Sequence, residues 1–314
     1  MFLGSFLKLV EIQTKVASVV PFFLGSTYAL YTYQSFSFEN FLIMFISLFS
    51  FDMTATAVNN YIDYKKAVKK HGYNYETHNA IVRDDLKEST VIKIISVLFL
   101  TASISGFFLF LNTNIIVLIL GIISFLTGIF YSFGPVPISR TPLGEIFSGF
   151  FMGFIIVFIS IYIHIFDSSL LSLSFAEGIV NLKFNLTEIL TLFFVSLPAV
   201  SGISNIMLAN NICDIEDDIK NKRYTLPIYI GKSYSLKLLK FIYYLIYIDL
   251  LILVMLDILP LISLLVLLTF LFVRKNIKIF NQKQTKKDTF IISIKNFLLI
   301  NISYILSLLV ALII

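Results

Sequence analysis

Two polar stretches, NNYIDYKK over 59–66 and NNICDIEDDIKNKR over 210–223, each follow a long apolar run, and each has paired asparagines with an aspartate four positions after the first. At about 100° per residue, a helix would put Asn210, Asp214 and Asp218 on one stripe, with Asn211 at offsets of three and seven from the two acids. Asn59 and Asp63 would share an equivalent stripe, with Asn60 beside them. Oxygen-rich faces of this kind suit a hard divalent cation. Magnesium takes carboxylate and amide oxygens in octahedral array, commonly one or two carboxylates plus substrate phosphates. Asp63 with its asparagines, and Asp214 with Asp218, are the oxygen donors so placed. Lys65, Arg140 and Arg223 are cations suited to the phosphate oxygens that a metal leaves uncovered, although topology determination explains such residues equally well. A charged run just past an apolar segment is ordinarily a solvated loop. What argues for a site is the repetition of NNxxD on a second segment of the same direction.

The elements that must position these residues are membrane spans. The chain has 314 residues, 58% hydrophobic and 14% charged, with a mean hydropathy of +0.90, whereas soluble domains carry about a quarter charged residues. Apolar runs of roughly 20 residues recur throughout, the length a helix needs to cross a bilayer. The sequence predicts an all-α polytopic membrane protein, one domain over 1–314. Nine spans are expected near 16–33, 39–60, 91–111, 114–132, 143–166, 189–211, 236–256, 258–274 and 290–313. The single Cys213 excludes an intramolecular disulfide and a CxxC metal knuckle. The N-terminal stretch with Lys8, Glu11 and Lys15 reads as interfacial and lacks the progression of a cleaved signal.

With the N-terminus inside, the loops 61–90, 212–235 and 274–289 collect the lysines and arginines, while Lys183 is the basic residue of the predicted outer segments. The positive-inside rule then turns both NNxxD stretches to the cytosol of a multi-pass cell-membrane protein. The net charge of +5 reflects topology and attraction to anionic membrane lipid, and nucleic-acid binding is not expected. A polar, aromatic stretch over 72–88 looks like a lid, with Asn79 and Arg83 as its candidate binding residues; Arg83 could equally pair with Asp84 or Asp85. His71 and His78, seven apart, read as solvated. A cation-coupled transporter is the alternative of another class. Carriers, however, place ionisable groups near the bilayer midplane, and Asp52, about three turns deeper than Asp63 on the same face, is the one acid so placed.

Three segments resemble the UbiA-type intramembrane prenyltransferases, in particular the branch that prenylates 1,4-dihydroxy-2-naphthoate in menaquinone biosynthesis. NNICDIEDDIKNKRYTLPIYIG (210–231) is similar to that branch's NN..D...D pattern and trailing basic-x-Thr-Leu-Pro. NNYIDYKKA (59–67) resembles the family's first aspartate-rich motif, and YSFGPVPISRTPLGEIFSG (131–149) its Tyr…GP…P…LGE segment. The resemblance implies a bundle of nine helices around a central cavity with cytosolic cap loops. It also implies Mg2+ held between the two motifs by Asn60, Asp63, Asp214 and Asp218, a polyprenyl diphosphate as donor and an aromatic acceptor. Asp63, Asp214 and Asp218 would then be catalytic, and Asn59, Asn60, Lys65, Asn79, Arg83, Tyr131, Arg140, Asn210, Asn211 and Arg223 would bind substrate. Other acceptors used within the superfamily stay open. The first motif departs from the pattern: Asn60 stands where the family usually has Asp, and Ala67 or Lys69 where its last Asp falls.

Overall fold

The computed structural model describes residues 3–66, 79–132, 134, 137–176 and 178–314. Residues 72–78 of the expected lid, with His78, lie outside the described residues, as do Ala67, Lys69 and His71. A short helix α1 (Leu3–Leu9) leads through a turn into α2 (Val16–Tyr33) and α3 (Phe38–Lys66). A single turn, α4 (Ala80–Arg83), precedes α5 (Glu88–Asn112) and α6 (Ile115–Ser132). Next come α7 (Gly144–Tyr162) and an antiparallel hairpin of β1 (Leu171–Ala176) and β2 (Ile179–Phe184). Helix α8 (Leu186–Cys213) is followed by the short α9 (Ile215–Lys220) and α10 (Leu226–Ile230). The chain closes with α11 (Lys232–Met255), α12 (Thr269–Gln282) and α13 (Ile291–Ala311).

Among the described residues seven helices are long and apolar enough to cross a membrane: α3, α5, α6, α7, α8, α11 and α13. The protein is a multi-pass helical bundle. The two other expected spans differ in kind. Residues 16–33 form α2, whose second half, STYALYTY, is rich in hydroxyls, and whose Tyr28 is buried. Residues 258–274 begin as a 3-10 stretch (Leu261–Leu268) after Pro260, which supplies no amide donor, and become α-helical only at Thr269. Length and composition thus leave the count of nine unestablished.

Helix α8 lies at the centre, packed on α7, α11, α13 and α2. Its contact with α7, which is wound as a π-helix over Gly149–Ile155, is close. A Cβ at Gly153 would lie 2.4 Å from the Val200 Cα, so only glycine lets these two backbones meet. On the other side α3 packs along α5, while α3 and α6 touch α7 more sparingly. That looser seam holds the cavities.

The segment 167–188 holds the hairpin, in which Leu173 faces Leu182 and Phe175 faces Val180 across the ladder. Alternation of apolar and polar residues from Leu171 to Phe175 and from Asn181 to Phe184 is the period-2 pattern of a two-faced strand pair.

Candidate active site

The second motif occupies the end of α8 and the whole of α9. Helix α8 stops at Cys213, yet the amide of Asp214 donates to the Asn210 and Asn211 carbonyls, and the Asp218 amide donates to the Asp214 carbonyl at 2.7 Å. The i→i+4 bonding carries the periodicity across the break and preserves the expected stripe. Asp218 is buried, at 3% exposure. Its carboxylate accepts from Thr225 Oγ1 at 3.2 Å and lies 3.3 Å from Arg223 Nε. Burial pushes its carboxyl above the usual aspartate value, against the pull of Arg223 and Thr225. Asp214 pairs with Lys286 at 2.5 Å, a residue from the far end of the sequence. Asn211 is fully buried and donates through Nδ2 to Glu145 Oε1 at 2.9 Å.

The segment between α6 and α7 joins this cluster. Arg223 Nη2 donates to the Ser139 carbonyl at 3.4 Å, and the Tyr224 amide donates to the Arg140 carbonyl. The Arg140 side chain itself is exposed. Tyr131, from the end of α6, points its hydroxyl at the Gly144 carbonyl, 3.5 Å away. Tyr131 and Ser132 also line a cavity of about 270 Å³ with Ser18 of α2, Asp52, Thr56 and Asn59 of α3, and Phe147, Ser148 and Phe151 of α7. One end of this chamber is polar. The other adjoins an apolar groove of about 410 Å³ between α3, α5 and α6, the two sharing Leu48, Ser124, Phe125 and Ile156 as lining. Phe51 and Phe125 stack at 3.9 Å between centroids along this wall, in room left by Gly128, where a Cβ would meet Phe51 at 2.8 Å.

The first motif sits in the last turns of α3. Asn59 donates to Ser132 Oγ at 3.1 Å and faces the chamber, whereas Asn60 donates to the Leu9 carbonyl at 2.8 Å, turned toward α1. Asn79 caps α4 through the Ile81 amide and donates to the Asn60 carbonyl at 2.8 Å. Its described contacts therefore brace the motif. Asp63 is exposed and Lys65 pairs with Glu88 at 2.7 Å. Arg83 forks onto Asp84, whose carboxyl it holds down at about 2, which is the pairing weighed as its alternative. The chamber thus takes in Asn59 and Tyr131. Asn211, Asp218 and Arg223 cluster around the segment at its polar end, and Lys65 and Arg83 are engaged with acids of their own.

Three participants were not expected. Lys15 is buried rather than interfacial: its ammonium gives all three protons, to Asp52 Oδ1 at 2.6 Å, the Asp52 carbonyl at 3.0 Å and Thr56 Oγ1 at 2.6 Å. Ser18 donates to the other Asp52 oxygen at 2.5 Å. The deep acid of α3 is therefore neutralised within the protein. Glu145 and Lys286 are the other two. Both lie in stretches of evident interest, an LGE triplet and a basic loop, but no local spacing links either to a residue 66 or 72 positions away (145 to 211; 214 to 286).

The donor set suits magnesium. The second motif offers two carboxylates and, at Asn211, a carbonyl oxygen that is buried without a hydrogen-bond donor, and these are the hard oxygens such an ion takes. Among the described residues no three His, Cys, Asp or Glu side chains converge to hold an ion alone, so substrate oxygens would have to complete its shell.

The profile of the UbiA prenyltransferase family matches residues 18–301. A 1,4-dihydroxy-2-naphthoate octaprenyltransferase of Bacillus subtilis (strain 168) is 29% identical over 227 residues, 72% of this chain and 66% of that protein, so the chain spans slightly less than two thirds of this relative's length. The structure of a UbiA homolog from Archaeoglobus fulgidus bound to GPP and Mg2+ superposes with a TM-score of 0.65 over 99% of this chain and 100% of that one, at 12% identity. A structure described for digeranylgeranylglyceryl phosphate synthase in membranes gives 0.64 over 99% of both chains, at 16% identity. With the family profile covering nearly the whole bundle and both asparagine–aspartate motifs inside the matched region, this chain belongs to the UbiA prenyltransferase family.

Proposed function

We propose that this protein transfers a polyprenyl group from its diphosphate to an aromatic acceptor, 1,4-dihydroxy-2-naphthoate in menaquinone biosynthesis, with the motif-bearing ends facing the cytosol. The observation that carries the reading is a chamber with a polar end, lined by Asp52, Thr56, Asn59 and Tyr131, that adjoins an apolar groove, with Tyr131 within reach of the charge of Arg223. A ligand with an anionic head and a long isoprenoid tail matches that shape. The similarity to a naphthoate octaprenyltransferase supports this acceptor class.

Asp214 and Asp218, with Asp63 from the first motif and the amide oxygens of Asn60 and Asn211, would hold magnesium. When bound, the ion supplies Lewis-acid withdrawal of charge from the diphosphate. Arg223 and Lys286, held beside those carboxylates, bring positive charge to the diphosphate oxygens and help it to leave. The chamber's walls of Phe147, Phe151 and Tyr131 exclude water that would capture an allylic carbocation and offer ring faces that stabilise it. The acceptor's electron-rich ring then attacks the allylic carbon. The new C–C bond replaces the C–O bond to diphosphate, and the displaced ring substituent leaves as a proton or, with carboxylate loss, as carbon dioxide.

Purified full-length protein incubated with magnesium, a polyprenyl diphosphate and a panel of aromatic acceptors should yield a prenylated naphthol, identified by mass. Solute flux into proteoliposomes with no product from any acceptor would refute the reading in favour of a carrier.

A further inference from the structure

Two buried oxygens beside the second motif lack a hydrogen-bond donor, Glu145 Oε2 and Asn211 Oδ1. Their side chains hold each other through the 2.9 Å bond from Asn211 Nδ2 to Glu145 Oε1, and both residues are nine-tenths buried or more. With its NH2 group committed to Glu145, the amide turns its carbonyl oxygen elsewhere. Asp218 lies close enough for its charge to act on Glu145. A buried carboxylate with an open oxygen and a second carboxylate nearby is costly unless a cation or a proton completes it. The fixation of Glu145 is otherwise thorough: Ser204 Oγ donates to its carbonyl at 3.0 Å, and α7 is pressed onto α8 by the glycine contacts one and two turns further on.

We propose that Glu145 and Asn211 form an oxygen seat for the divalent cation. In it, Glu145 supplies a carboxylate to a site whose first motif is short of one at Asn60. This rests on the prenyl-diphosphate reading above. Its test is Mn2+ binding to the full-length protein in nanodiscs with inorganic pyrophosphate, followed by electron paramagnetic resonance without any turnover. Glu145→Gln keeps the oxygen that accepts from Asn211, so it should melt near the wild type and bind Mn2+ at least tenfold more weakly. Wild-type Mn2+ affinity in Glu145→Gln would overturn the proposal, since glutamine mimics a protonated acid. Asn211→Asp provides a second arm: two facing carboxylates should lower the melting temperature in chelator and regain it with Mn2+, and a melt indifferent to Mn2+ again overturns the seat. Asp218→Asn separates the layers. If it loses Mn2+ while Glu145→Gln does not, only this inference falls; if neither loses it, the metal role of the second motif falls too.

At the opposite end of α8 the hairpin is amphipathic. Leu171, Leu173, Phe175, Val180, Leu182 and Phe184 share one face by register, and the last four of these are 55–69% exposed. Ser172, Ser174, Asn181 and Lys183 form the other face, with Ile179 at its tip. The hairpin joins the ends of two membrane helices, and its apolar face leads into the exposed stripe Leu186, Leu190 and Phe194 of α8. The geometry points to a lipid surface as the occupant, with the hairpin lying in the interface, ring and leucine face down and Lys183 toward the headgroups. The chain has no tryptophan, so Phe175→Trp makes a single reporter. In nanodiscs of phosphatidylcholine brominated near the headgroup its fluorescence should be quenched, and aqueous iodide should not reach it. Quenching by iodide alone would mean a solvated loop, and protection from both quenchers would mean contact with a second copy. Either result overturns the assignment.

Discussion

Replacing Asp218 by asparagine separates the cost of the site from its use. The substitution keeps the side chain's shape and one acceptor oxygen but removes a unit of charge from a carboxylate that is 3% exposed. One charge acting at about 4 Å through an effective dielectric of about 20 is worth about 4 kcal/mol, and each 1.36 kcal/mol is about tenfold in rate. Turnover should therefore fall by about 10²–10³. Stability should move the other way. Burial raises the folded-state pKa of Asp218 above its unfolded value, so the ionised carboxylate is a net cost to the fold. That cost is fully present above the folded pKa and fades as pH falls through the folded pKa toward the unfolded one. Asparagine carries no such penalty, and Arg223 retains the Ser139 carbonyl and partial solvent exposure. The variant should melt at or above the wild-type temperature near neutral pH, with the gap closing on acidification. Product formation and thermal melting of the same detergent-solubilised preparations measure both. Turnover within about fivefold of wild type, or a melt several degrees lower at neutral pH, would refute the reasoning.

Other perturbations test the scaffold and the cation. Lys15→Met or Asp52→Leu alone should cost about 3–5 kcal/mol by stranding one buried charge, while the double variant should melt near the wild type. Gly153→Ala places a Cβ against the Val200 backbone and should destabilise by about 1–3 kcal/mol, seen as a lower melting temperature. Asn79→Ala removes a helix cap and the brace on Asn60; it should cost about 1 kcal/mol and lower kcat/KM. Chelation of divalent cations should abolish product formation, and added magnesium should restore it.

Local periodicity made the spans and the second motif legible. Asn210, Asp214 and Asp218 stay on one stripe because hydrogen bonds carry the helix past its break, and the apolar runs became helices with ends displaced by a few residues. What could not be read was pairing at a distance. Asp52 showed as a deep acid, but Lys15, which neutralises it, sits 37 residues earlier in a stretch that looked interfacial. Glu145 meets Asn211 only because α7 and α8 touch at glycines, and Lys286 meets Asp214 only through the fold of the last two helices. Asn60 shows the reverse limit: its spacing fits a ligand, yet its amide nitrogen is drawn toward α1 by the Leu9 carbonyl. The hairpin's alternation lay open in the sequence, hidden by its place in a short connection between two apolar runs.

The wide turns over Gly149–Ile155 have a bearing on how this architecture can drift over evolutionary time. A π stretch commonly stores an extra residue inside an otherwise ordinary helix, and excising one residue there would let the coil tighten. The portion upstream would then swing by about 100° about the axis relative to the portion downstream. Glu145 would be carried out of register with Asn211 while the lower half of the helix kept its seat on α2. A one-codon deletion at this point would thus leave a bundle able to assemble but with its upper tier misaligned, so insertions and deletions there should be selected against more strictly than substitutions.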